Sequence, residues 1–107
     1  MRSHLATFTN MQITLFDFVA EWCPPCRQME PVLAAIAKDY AGRVEIKTID
    51  VEEDRDTAAK FDVRAMPTFV IVREGREVGR LVGARPRAFL AGMLDRALNG
   101  DVAITSP

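Results

Sequence analysis

The run Ile13 to Ala20 (ITLFDFVA) constrains the fold more than any other part of this 107-residue chain. Apolar, β-branched and aromatic side chains occupy both of its alternating faces, so a strand built from it must be covered on both sides, as strands of a parallel sheet are. It is therefore read as the central strand of an α/β layer structure. Asp17 sits in its middle. An ionised carboxylate on a doubly covered strand is costly without partners, so the residue is either kept for chemistry, its pKa raised by burial, or turned to an edge and solvated.

The segments that follow supply the cover. From Pro24 to about Tyr40 the apolar residues Met29, Val32, Leu33, Ile36, Ala37 and Tyr40 recur at helical spacing, and prolines in a first helical turn cost little because those positions lack intrahelical acceptors. Pro31 lies inside the pattern and predicts a kink that separates the first turn from the body of the helix. Gly42 ends the helix, and Val44 to Asp50 alternates as a strand, giving a right-handed strand-helix-strand crossover. Asp54 or Asp56 can cap a short helix through Phe61. Thr68 to Arg73 and Glu77 to Val82 flank Glu74-Gly75-Arg76 as a hairpin. A last helix from about Pro86 to Leu98 carries Phe89, Leu90, Met93, Leu94, Ala97 and Leu98 on one stripe and stops at Asn99-Gly100. The reading is one domain over residues 1–107, with an N-terminal segment 1–12, a loose tail 101–107, and a mixed sheet covered by helices on both faces.

Composition narrows the function classes. Acids and bases nearly cancel, to a formal charge of −1, and no Lys/Arg run forms a basic arm, which argues against nucleic-acid binding. The N-terminal residues lack the apolar stretch of a secretory signal, and no apolar run approaches a membrane span, so the expectation is a cytoplasmic protein without membrane contact. His4 is read as a surface residue. Two cysteines three positions apart exclude a stapled secreted framework and point to local chemistry.

Those cysteines, Cys23 and Cys26, are delivered by the central strand to the start of a helix. Residues three apart share a helix face, so the sulfurs can close a small ring or lie side by side as thiols without moving the scaffold. Cys23, at the helix start, meets unpaired N–H groups and the positive end of the helix dipole, which favour thiolate; it is read as the exposed nucleophile. Cys26, one turn further in and less exposed, would resolve the mixed disulfide, and Asp17 beneath the pair could take and return its proton.

These residues resemble the thioredoxin family over roughly Ile13 to Leu98. The likeness rests on Asp17, Trp22, the Cys23-Pro24-Pro25-Cys26 loop, Pro31, Met66-Pro67-Thr68 before the hairpin and Gly83 after it, in family order and at family-like spacing. It implies a thioredoxin-like three-layer α/β/α fold with a mixed sheet of about four strands, and a cis bond between Met66 and Pro67. It also implies substrate contacts from Trp22, Pro24, Met66, Pro67 and Gly83, against which stand the plainer readings of Trp22 as core and Met66 as packing. Protein disulfides would be the substrates, a thioredoxin reductase the electron donor, the redox-active disulfide the only cofactor-like group, and the protein a monomer.

Three departures from the family pattern stand out. Pro24-Pro25 replaces the usual Gly-Pro and so removes both N–H donors between the cysteines, a feature resembling tryparedoxins, though the extra segments of those proteins are lacking here. Only about twelve residues precede the central strand, so the family's first strand and helix are expected to be missing or reduced, with Val44 to Asp50 left as an edge. Where the family often places a Lys near the buried Asp, alignment through Asp50 places Ile46, and Lys47 faces away. Two rival readings remain: metal or cluster binding through the Cys-x-x-Cys pair, which needs two further ligands, and a non-catalytic binding module on the same fold.

Overall fold

The computed structural model describes residues 12–105. Calls that fall on residues 1–11, including His4 and the expected loss of a first strand and helix, lie outside the described residues. The elements, in order, are β1 (Ile13–Val19), α1 (Pro24–Asp39), β2 (Val44–Asp50), α2 (Arg55–Lys60), β3 (Thr68–Arg73), β4 (Arg76–Val82), α3 (Arg87–Leu98) and β5 (Ile104–Thr105). The sheet runs β2-β1-β3-β4-β5. β1 pairs in parallel with β2 and antiparallel with β3, so the strand that is apolar on both faces does lie among neighbours on both sides.

Strand alternation sorts the core into two layers. Ile13, Leu15, Phe69 and Ile71 point to the face covered by α1 and α3, where they meet Leu33, Ile36, Leu90 and Leu94. Phe16, Phe18, Val70 and Val72 point to the other face and pack with Ala58 and Phe61 at α2. This is the expected three-layer arrangement. Asp17 shares the face of Ile13 and Leu15, and is thereby set beneath α1.

Local sequence accounts for the joints. Cys23 is the N-cap of α1 and Pro24 and Pro25 fill its first two positions, where no intrahelical donor is needed; the helix then runs unbroken through Pro31. Of the two possible caps for α2 the structure uses Asp54, whose carboxylate accepts from the Thr57 N–H at 3.1 Å. The β3–β4 turn is the two-residue Glu74-Gly75, both with positive φ (54° and 79°), tighter than the three residues expected.

Three expectations are corrected. Ala37 is exposed, because it falls on the edge of the α1 stripe away from the sheet. Phe89, placed on the buried stripe of α3, is 38% exposed, one residue before the point where the helix settles on the core at Leu90. Within the segment expected to be a loose tail, Ile104–Thr105 instead pair in parallel with β4, and Ile104 is buried. Gly79 makes room for it, since a Cβ there would stand 3.3 Å from the Ile104 Cβ. β5 thus adds a fifth strand to the four expected.

Candidate active site

The sharp passage from β1 into α1 brings Cys23 and Cys26 together, with Cα atoms 5.3 Å apart, as a disulfide. Both intervening residues are prolines, so the first N–H able to reach the Cys23 sulfur belongs to Cys26, and it donates to it at 3.2 Å. The helix start thus offers the Cys23 sulfur a donor as well as a favourable dipole. The expectation of an exposed Cys23 and a deeper Cys26 is not met: in this oxidised form they are 2% and 6% exposed. The bond turns the two sulfurs onto each other, and Val19, Val51 and Met66 pack around the cluster they form with Ala20.

Around the disulfide the predicted contact residues take different positions. Trp22 is 63% exposed, which removes the core reading, and its indole N–H donates to Glu52 at 3.4 Å. Pro24 is exposed and Met66 half-buried beside the cysteines, so Met66 does pack while leaving part of its side chain outside. The Met66–Pro67 peptide bond is cis. The Pro67 carbonyl accepts from the Gly83 N–H at 2.8 Å, which brings the proline before β3 and the glycine after β4 side by side. Gly83 has a φ of 91°, a conformation open to glycine and strained for other residues.

Asp17 is 8% exposed, opposite Thr48 on β2 and Phe69 on β3, which excludes the solvated-edge reading. Its Oδ1 has no hydrogen-bond partner. Burial, and then the charge of Glu30, push its pKa up to about 6. Ile46, the residue aligned with the family lysine, instead packs against the core, and Lys47 is exposed. Asp17 and Cys26 line one cavity of about 560 Å³ between α1 and β2, whose wall also includes Glu21, Arg27, Glu30, Asp50 and Glu53. Sequence reasoning missed Glu30 and Glu52. Glu30 was open to discovery: four residues after Cys26, it shares that cysteine's helix face.

A family model described as thioredoxin matches residues 3–96, nearly the whole chain. The chain belongs to the thioredoxin family. Thioredoxin of Staphylococcus aureus is 42% identical over 86 residues, 80% of this chain and 83% of the relative, and that of Staphylococcus haemolyticus is 43% identical over the same span. Among solved structures, Fasciola hepatica thioredoxin superposes with a TM-score of 0.76 at 38% identity, covering 87% of this chain and 88% of the other. Mitochondrial thioredoxin 3 of Saccharomyces cerevisiae in its oxidised form gives 0.73 at 36%, covering 86% and 84%. With a family-type cysteine pair already joined at the helix start, this thioredoxin-family chain is a thiol-disulfide oxidoreductase acting on protein disulfides. Among the described residues no group of three or more His, Cys, Asp or Glu side chains is arranged to hold a metal ion, and no helix is long and apolar enough to cross a membrane.

Proposed function

We propose that the chain works in the reducing direction, as a dithiol reductant of protein disulfides, and that the residues divide the labour as follows. The Cys23 thiolate attacks one sulfur of the target disulfide, forming a mixed disulfide and expelling the first target thiolate. The Cys26 thiolate then attacks the Cys23 sulfur, closes the Cys23–Cys26 bond and releases the second, so that two electrons pass to the target. Asp17 accepts the Cys26 proton. Its carboxyl, held at a pKa of about 6, is mostly ionised at neutral pH and only weakly basic, which suits a group that must both take and return a proton.

Trp22, Pro24, Met66 and Gly83 form the contact surface for an extended target segment, whose backbone pairs beside the buried Pro67. Electrons return from a thioredoxin reductase, no separate cofactor takes part, and the protein acts as a cytoplasmic monomeric domain. The observation that supports this division of labour is the Cys26 N–H donated to the Cys23 sulfur where α1 begins, a donor that would also stabilise a thiolate there.

The test is disulfide reduction with dithiothreitol as the electron source. Cys23→Ser should lose at least about a thousandfold of the rate, as expected when a nucleophile is removed, and Cys26→Ser should accumulate covalent adducts with targets. Unchanged turnover in Cys23→Ser would sink the reading. Equilibration with glutathione buffers fixes the direction: a potential near about −270 mV supports reduction, and one near about −120 mV the opposite role.

A further inference from the structure

The cavity between α1 and β2 has a use beyond proton handling. Its mouth carries the exposed Glu21, Glu30 and Glu53, the half-buried Asp50 stands on its wall, and Asp17 lies within, more than nine-tenths buried and with one oxygen unpartnered. Arg27 is the one cationic side chain on its wall, and its guanidinium is turned to the Glu21 backbone carbonyl at 2.9 Å. None of the ion pairs among the described residues involves a carboxylate of the cavity. The concentration of negative charge in a half-enclosed space, with an acceptor left open within, fits a cation supplied from outside.

The shape selects the kind of cation. No three of these side chains converge as a metal-ligand set. Val19, Ala20 and Leu33 also line the cavity and offer an apolar wall, which suits a charged head carried on an aliphatic stem. Cys26 lies on the same wall, so whatever fills the space is next to the disulfide. We propose that the cavity receives an arginine or lysine side chain of the protein whose disulfide is being exchanged, making it a specificity pocket for targets with a cationic residue close to the reacting cysteine. This rests on the redox reading above.

The experiment compares single-turnover reduction, by pre-reduced protein, of peptide disulfides that carry arginine or its neutral isostere citrulline at one to three positions on either side of the cysteine. Each rate is divided by that of the same peptide with dithiothreitol, which removes the effect of the charge on the peptide's own thiol. At one position or more arginine should win by about fivefold, the size expected of a partly screened ion pair. The preference should fall to that of a charge-blind reductant in the double variant Glu21→Gln, Glu53→Gln, and methylguanidinium chloride should erode it more than the same concentration of sodium chloride. Equal normalised rates at every position, a preference that survives in the double variant, or identical effects of the two salts overturn the inference. Reduction of the citrulline peptides without an arginine preference leaves the redox reading standing, whereas failure to reduce either kind overturns both.

Discussion

The first half and the middle of β1 share one face of one sheet and are built on opposite terms. At the end where the strand begins, Ile13 and Leu15 are fully buried against Ile36, Ile71, Leu90 and Leu94, with no polar group to satisfy. Two residues after Leu15, Asp17 borders the cavity of about 560 Å³, with one of its own oxygens unpaired and the negative charge of Glu30 nearby. The first arrangement supplies stability, through close packing and apolar burial. The second gives some of it up, leaving a carboxyl whose pKa is raised by burial and by Glu30. What the difference teaches is that the α1 scaffold is anchored below so that the redox turn above it can tolerate a strained electrostatic environment.

The comparison breaks most visibly at Leu15. Leu15→Ala should cost about 4 kcal/mol in urea unfolding, the transfer loss plus the cavity left among side chains that cannot collapse into it. A cost below about 1 kcal/mol would mean that the lower end is not the anchor.

Asp17→Asn should act in the opposite direction. The folded-state pKa of about 6 lies above the ordinary aspartate value of 3.8, so the folded protein binds this proton more tightly than the unfolded chain does. Below about pH 4 both states hold the proton and the group costs nothing; from about pH 4 to 6 the unfolded chain has released it while the folded protein still holds it, so stability falls, by about 3 kcal/mol in all, and levels off above pH 6. The variant should therefore be more stable at pH 7.5, by about 2 kcal/mol because its amide still lacks partners, and should lose the slope between pH 4 and pH 7. A variant less stable at pH 7.5, or one with the slope intact, would show that the carboxyl is satisfied after all.

The smallest effect sharpens the picture further. Glu30→Gln removes the second cause of the raised pKa and leaves burial, the first, in place. A carboxyl-carbon NMR titration should show the Asp17 midpoint lowered, still above the ordinary aspartate range, with a stability gain under about 1 kcal/mol at neutral pH. An unmoved midpoint would remove Glu30 from the electrostatics of the cavity.

Much of this was legible in the chain. The doubly apolar β1, the proline-led α1 and the alternating hairpin each state their partners through periodicity, and Asp17 is conspicuous because it violates the pattern around it. What escaped has a physical pattern of its own. Phe89 and Ala37 sit at the margins of helical stripes, and periodicity gives the centre of a stripe better than its width. Cys23 is buried in a cluster that Val51 and Met66, the latter more than forty positions away, pack against, and neither is encoded in the local run. Glu30 reads as an ordinary exposed charge until α1 is laid over β1, and Glu52 is tied to Trp22 only by the way β2 ends beside the redox turn. Two residues are too few for an alternation to declare β5, whose place depends on a glycine twenty-five positions earlier.

That last strand has a practical corollary for anyone who would fuse, tag or shorten the protein. Ile104 acts as a plug over the side-chain-free patch at Gly79, and the backbone either side of it completes hydrogen bonding along the outer margin of β4. Cutting the chain after Leu98 would spare every residue of the redox centre and still leave an unfilled hollow beside a bare strand, the kind of surface on which neighbouring molecules stick to one another. Attachment points belong beyond Thr105, and a shortened version should be judged by its tendency to clump before it is judged by its turnover.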